Sequence, residues 1–217
     1  MSSINSHFTM KYSQPEEYHF SHDSVFLARY VFEWIQKKAN FQLLSAADFC
    51  SGCGVVGLDF LIHLHQNKMK LPDSVDFIEV QDIYQKHFEY NQSQFQLLCP
   101  SDVGLIFLNQ NYSVVSQETS FFEKYDLILC NPPYFNLGQG KLSLSEFKNR
   151  CRFFMDSDFE HLLKSIRASL KADGVAFVLL RSLKDHKIEY DLKKLSQDFG
   201  VGLEIVGDIR GTDVLKI

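Results

Sequence analysis

The chain has 217 residues, 45% of them apolar and 23% charged, the composition of an ordinary soluble globular protein with room for one α/β domain and a core of its own. No apolar run approaches the roughly 18–20 residues that cross a bilayer, and the opening MSSINSHFTMKYSQ lacks a signal-peptide stretch, so a cytoplasmic protein without a membrane partner is expected. A net charge of −5 excludes holding a long nucleic acid by total charge and leaves such a partner only a local basic patch.

Residues 1–20 are polar with scattered aromatics and read as an irregular lead-in. Ser24–Lys38 carries apolar residues at the i, i+3, i+4 spacing of a helix with one buried face, with Asp23 or Ser24 as its N-cap. Phe26, Tyr30 and Trp34 lie on one stripe of it. Strands follow at 43–50, 75–80, 104–109, 125–130, 174–180, 201–206 and 212–217, and helices at 55–66, 82–94, 157–171 and 191–199. Strand–helix alternation of this kind predicts a Rossmann-like α/β fold: a doubly wound, mostly parallel seven-stranded sheet with an antiparallel C-terminal strand. Residues 1–40 are expected to pack as lead-in and helix on a domain formed by 41–217. Ligands of such sheets sit at the carboxyl ends of the strands, beside the topological switch point.

The stretch DFCSGCGVVGL, residues 48–58, contains both C-x-x-C (Cys50, Cys53) and G-x-G-x-x-G (Gly52, Gly54, Gly57). A structural zinc site needs four ligands. No second pair stands at usable spacing, and His63 and His65 face different ways on their helix. The thiols are therefore expected to be small apolar fillers, with no metal. Five cysteines, an odd number, fit free thiols in a reducing compartment. The glycines follow a predicted strand and open a predicted helix, the context in which they let a ligand approach the backbone. Glu79 ends the next strand, where an acid accepts hydrogen bonds from ribose hydroxyls. NAD, FAD and S-adenosylmethionine (SAM) all use such a turn and acid.

YDLILCNPPYF, residues 125–135, makes the choice. An apolar strand delivers Asn131, Pro132, Pro133 and Tyr134 to the ligand edge of the sheet. The prolines stiffen the turn and remove two donors. Asn131 offers an amide oxygen, Pro132 a main-chain carbonyl, and Tyr134 a flat ring. Two acceptors and a stacking face suit a planar group with an exocyclic NH2. Directing both N–H bonds frees the nitrogen lone pair toward an electrophilic methyl, so that alignment supplies much of the rate.

On DFCSGCGVVGL, FIEV and DLILCNPPYF the chain resembles the class I SAM-dependent methyltransferases that modify amino nitrogens. It looks most like the bacterial tRNA adenine-N6 methyltransferases typified by the tRNA(Val) enzyme. YHFSHDSVFLA (18–28) and CRFFMDSDFEHLL (151–163) resemble that subgroup's flanking segments, and the likeness extends over residues 14–182. It implies SAM as cofactor, with Asp48, Gly52, Gly54 and Gly57 at its amino-acid part, Glu79 at its ribose and Gln81 or Asp82 at its adenine. Where the family places an Asp after the third strand this chain has LNQNYS, so Asn109 or Asn111 must serve. Asp23, Phe135 and Arg152 would face the substrate. The implied partner is RNA, with tRNA the expected class.

Lys141, Lys148, Arg150 and Arg152 accompany one acid, Glu146, directly after the NPPY turn, and are read as phosphate contacts. Phe153 and Phe154 are read as core in preference to base-stacking residues. Protein glutamine methyltransferases of the release-factor type share NPPY, but too few residues precede the first strand here for their helical N-terminal domain. A non-catalytic SAM-binding partner subunit is the third reading, and an intact NPPY speaks against it. The acidic total leaves a homodimer or a partner protein open as the means of holding a whole tRNA.

Overall fold

The computed structural model describes residues 9–38, 40–181 and 190–217; residues 1–8 of the expected lead-in lie outside the described residues. The first element is α1 (His22–Gln36), which buries Val25, Leu27, Ala28, Val31, Phe32 and Ile35. It opens earlier than Asp23 or Ser24 as N-cap would allow. Ser21 takes the cap position without a side-chain bond, and the Ser24 amide donates to its carbonyl (3.2 Å). Asp23 lies in the first turn, where a carboxylate meets the positive end of the helix dipole.

The chain continues as β1 (Ser45–Phe49), α2 (Val55–Gln66), β2 (Ser74–Glu79), α3 (Gln85–Leu98), β3 (Gly104–Asn109) and β4 (Tyr125–Cys130). Then come α4 (Glu146–Arg152), α5 (Phe159–Ser169), β5 (Leu170–Leu180), α6 (Leu192–Phe199), β6 (Glu204–Ile209) and β7 (Thr212–Lys216). The strands form one seven-stranded sheet in the order β3-β2-β1-β4-β5-β7-β6. All neighbours from β3 to β5 run parallel, and β7 runs antiparallel to both β5 and β6. This is the doubly wound sheet with an antiparallel C-terminal strand that the element order predicts.

Local sequence explains the arrangement. β1, β2, β4 and the second half of β5 are buried along almost their whole length, Asp48, Asp76 and Glu79 included, because helices cover both faces of the sheet. β7 reverses through a two-residue turn whose Arg210 (φ 55°) and Gly211 (φ 83°) both take positive φ, as a type I′ hairpin requires. One apolar core joins α1, α2 and α3 to one face, and a second joins α5 and its surroundings to the other.

Other boundaries differ from the periodicity too, among them β6, expected at 201–206 and observed at Glu204–Ile209. A 3-10 turn, Asp82–Tyr84, precedes α3. α5 stops at Ser169, whose hydroxyl donates back to the Ser165 carbonyl (2.7 Å), so β5 starts early at Leu170. The short helix α4 has too few residues to show an apolar period, although Ser145 caps it by accepting from the Lys148 amide. Among the described residues no helix is long and apolar enough to cross a membrane.

Sheet order reverses between β1 and β4. Their carboxyl ends therefore open a crevice between the loop after β1 and the turn after β4.

Candidate active site

That crevice holds a cavity of about 300 Å³, at the lower end of small-molecule sites (~300–1,000 Å³). One half of its wall is the glycine loop with the ends of β2 and β3. The other half is Asn131–Phe135, the start of α1, the residues after α4 and Arg181 at the end of β5.

In the first half, Asp48 ends β1 fully buried and accepts from the Gly57 amide (2.9 Å). Burial pushes its carboxyl up to about 8, opposed by the Gly57 N–H and reinforced by Glu79. Its second oxygen has no partner among the described residues. Gly54 caps α2 at φ 81°, and a Cβ there would stand 2.7 Å from the Phe88 ring. At Gly57 a Cβ would stand 2.6 Å from the Phe77 ring and 3.2 Å from the Asp48 carboxylate. Only Gly52 of the three glycines lines the cavity; Gly54, Gly57 and Asp48 shape the loop from behind.

Glu79 lines the cavity and holds the loop at once. Its two oxygens accept from the Gly52 amide and the Gln81 amide, each at 2.9 Å. Burial raises its carboxyl above the usual range, and those two N–H groups pull it back down. Gln81 is buried beside it on the wall, while Asp82 points outward. Gln81 Nε2 and the Tyr84 hydroxyl both reach the Cys151 thiol (3.4 Å each), which ties α4 across the loop.

The asparagines after β3 are placed differently from what was expected. Asn109 is exposed, lies off the cavity and donates to the Glu79 carbonyl (3.0 Å). Asn111 lines the cavity, but its amide is spent on the Ser113 N–H (2.9 Å) and the Asp156 carbonyl (2.7 Å). Between them Gln110 also lines the cavity, and its Nε2 is buried without a partner among the described residues. The Ser51 hydroxyl, on the same wall, is equally unpartnered. Two orphaned polar atoms and a buried acid facing one cavity fit a ligand that carries acceptors and a diol. Gln110 could have been weighed from sequence as the third amide of LNQNYS.

The thiols divide. Cys53 is buried in the apolar core, which pushes it up to about 12. Cys50 lines the cavity in a left-handed conformation (φ 55°) that non-glycine residues seldom adopt.

In the second half, Asn131 is gripped at both ends of its amide. Nδ2 donates to the Ser24 hydroxyl (2.8 Å), and Oδ1 accepts from the Tyr134 hydroxyl (2.7 Å). Burial first, then the Asp23 carboxylate, hold the Tyr134 phenol well above its ordinary value, so it stays a donor. Asp23, Pro132, Pro133, Phe135 and Arg152 all reach the cavity wall. The amides of Tyr134 and Phe135 both donate to the Arg152 carbonyl (3.1 and 3.0 Å), which pins the turn to the end of α4. Phe153 and Phe154 are buried, as read. Arg150 is not the free phosphate contact expected, because Asp156 holds it in an ion pair (2.7 Å).

The polar lead-in is also part of the wall. Gln14, Tyr18 and Phe20 line the cavity, and Asn91 of α3 fastens this strap. Asn91 is fully buried; it accepts from the Ser13 amide (2.7 Å) and donates to the carbonyls of Ser13 (2.9 Å) and Cys53 (3.0 Å). Asp59, buried in α2, accepts from the hydroxyls of Tyr12 (2.9 Å) and Thr9. Neither Ser24 as a partner of Asn131 nor Asn91 carries a signal in the local sequence.

No family model matches the chain. It is similar to the tRNA1(Val) (adenine(37)-N6)-methyltransferase of Aliivibrio fischeri, 30% identical over 106 residues. That match spans 49% of this chain and 41% of the relative's length. Among solved structures it is similar to the rRNA methyltransferase AviRa of Streptomyces viridochromogenes (TM-score 0.56, 11% identity, 94% of this chain and 88% of that one). It is also similar to the SAM-dependent methyltransferase of Agrobacterium tumefaciens (TM-score 0.55, 13% identity, 91% and 62%). At these identities the likeness is one of fold: the chain has the class I SAM-dependent methyltransferase fold, and the cofactor that this fold implies is SAM.

Proposed function

We propose that the protein transfers a methyl group from SAM to the exocyclic N6 of adenine in RNA, with tRNA as the substrate class. The observation that carries this reading is Asn131, locked between Ser24 and Tyr134 on the wall of a cavity it shares with Glu79. The partial likeness to a tRNA adenine-N6 methyltransferase supports the choice of base and of RNA.

In this reading Glu79 takes the ribose diol, the Ser51–Gly52 backbone the amino-acid part, and Gln81 and Gln110 the adenine of the cofactor. Bound SAM supplies an electrophilic methyl group. The rest is the work of the chain's own groups. A carboxamide oxygen has two lone pairs, and Tyr134 occupies one on Asn131, leaving the other to accept an N–H of the target. Pro132 presents a carbonyl and no N–H beside it, so a second acceptor has no competing donor on the same peptide. Two directed acceptors hold the amino group in one orientation and meet the positive charge that develops on nitrogen. The Tyr134 and Phe135 rings offer stacking faces to a base displaced from its helix.

The test is methyl transfer from radiolabelled SAM to unmodified bulk tRNA, duplex DNA and a glutamine-containing release-factor protein, with nucleoside analysis of any labelled acceptor. N6-methyladenosine in tRNA is expected. Label in the protein instead would keep the Asn131 chemistry and replace the substrate. Asn131→Ala should cut turnover by about 10²–10³ while leaving SAM affinity within about twofold. Turnover that survives this change would refute the mechanism.

A further inference from the structure

Two arginines on the target side of the cavity have unusual neighbours. The Arg152 guanidinium lies over the Phe135 ring (5.7 Å) and the Phe153 ring (5.6 Å), and that of Arg181 lies over the Tyr134 ring (5.8 Å). Both line the cavity. Among the described residues neither is in an ion pair, whereas Arg150, two positions from Arg152, is held by Asp156. A guanidinium placed over an aromatic ring is drawn to it while N–H groups stay available to an anion.

Their placement in the fold is specific. The cofactor half of the cavity stands over the ends of β1 and β2. Arg181 follows the last residue of β5, which pairs with β4 on the other side of the switch point (Cys130 opposite Val178). Arg152 is tied to the catalytic turn through its own carbonyl. The two cations therefore flank Tyr134 and Phe135, one on the β5 side and one on the α4 side. The anionic groups that share this half of the wall are Asp23, on the first turn of α1, and Asp156, which is paired with Arg150.

Resting on the functional reading above, we propose that Arg152 and Arg181 form a clamp for the two phosphodiester groups on either side of the target nucleotide. A nucleotide whose base enters the NPPY pocket must leave its backbone at the mouth, with a phosphate on each side of the sugar. Two guanidinium groups on opposite sides of the turn match that geometry, and guanidinium pairs with phosphate in a bidentate manner. The clamp also explains how a chain of net charge −5 holds RNA at this one place. A glutamine side chain would bring no such anions.

The test measures binding of unmodified bulk tRNA by fluorescence anisotropy across a salt series, for the unaltered protein and for Arg152→Gln, Arg181→Gln and Arg181→Lys. Each glutamine variant should weaken binding about tenfold and lower the slope of log affinity against log salt by about 0.7–0.9, one phosphate's share. Arg181→Lys should keep the slope and lose part of the affinity, which separates a charge contact from a packing role. SAM affinity and melting temperature serve as the folding control. Slopes and affinities equal to those of the unaltered protein, while that protein methylates RNA, would overturn the clamp alone. If the unaltered protein methylates no RNA, the functional reading falls first and takes the clamp with it.

Discussion

The two halves of the cavity are built on opposite principles. The cofactor half consists of main-chain N–H groups and buried acids that satisfy one another: Gly57 with Asp48, and Gly52 and Gln81 with Glu79. The donors are main-chain N–H groups of the glycine loop, the start of α2 and the residue after β2, and Gly54 and Gly57 matter because a Cβ would meet the Phe88 and Phe77 rings. The target half consists of side chains from α1, the turn after β4, the end of α4 and the end of β5, meeting across open space. The first half is rigid through close packing; the second is held by single hydrogen bonds and ring contacts. A substitution in the first should therefore cost stability and cofactor together, and one in the second should cost turnover or substrate alone.

The hardest blow to that contrast comes from Gly57→Ala. Its methyl must displace the Phe77 ring or the Asp48 carboxylate, and overpacking of this kind costs about 1–3 kcal/mol. The melting temperature should fall by about 3–10 °C, with a parallel loss of SAM affinity by calorimetry. A stable Gly57→Ala protein with normal affinity would show that the loop is soft.

Asn91→Ala removes the three hydrogen bonds by which α3 holds the strap at Ser13 (two) and the glycine loop at Cys53 (one), and should raise the Kd for SAM about 10–100-fold. Turnover at saturating SAM should change less. If both parameters moved equally, the strap would belong to the target half as well.

Ser24→Ala frees one end of the Asn131 amide and should lower kcat about threefold to tenfold, with the Kd for SAM unchanged. A matching loss of SAM affinity would break the division between the halves.

The effect confined to stability concerns Asp48. Its folded carboxyl, at about 8, binds a proton more tightly than an unfolded one at 3.8. Stability of the cofactor-free protein therefore falls as pH rises between those values and is level outside them. Asp48→Asn should flatten that fall in melts between about pH 5 and pH 8. An unaltered pH slope would mean that Asp48 ionises as an exposed carboxylate does.

How much of this was legible in advance follows the same division. DFCSGCGVVGL could be read because tight turns, helix starts and close backbone approach are local demands on residue type, met within a few positions. The strands could be read because apolar runs covered on both faces look alike wherever they occur. NPPY could be read because two prolines stiffen any turn they occupy. Which amide at the end of β3 would face the cavity unpartnered could not be read, because three stand in a row, Asn109 to Asn111. Only the packing turns Asn109 out, spends Asn111 on Asp156 and leaves Gln110 bare.

By itself, then, the sequence determined the strand–helix order, the glycine loop, the acid at Glu79 and the stiff NPPY turn, all of which depend on neighbours along the chain. The tertiary structure alone decided which side chains meet. Ser24 reaches Asn131 across 107 positions, and Asn91 reaches Ser13 across 78. Arg181 comes to rest on Tyr134 because β5 lies beside β4. Such contacts leave no local pattern, since each partner is an ordinary residue until the sheet brings the two together.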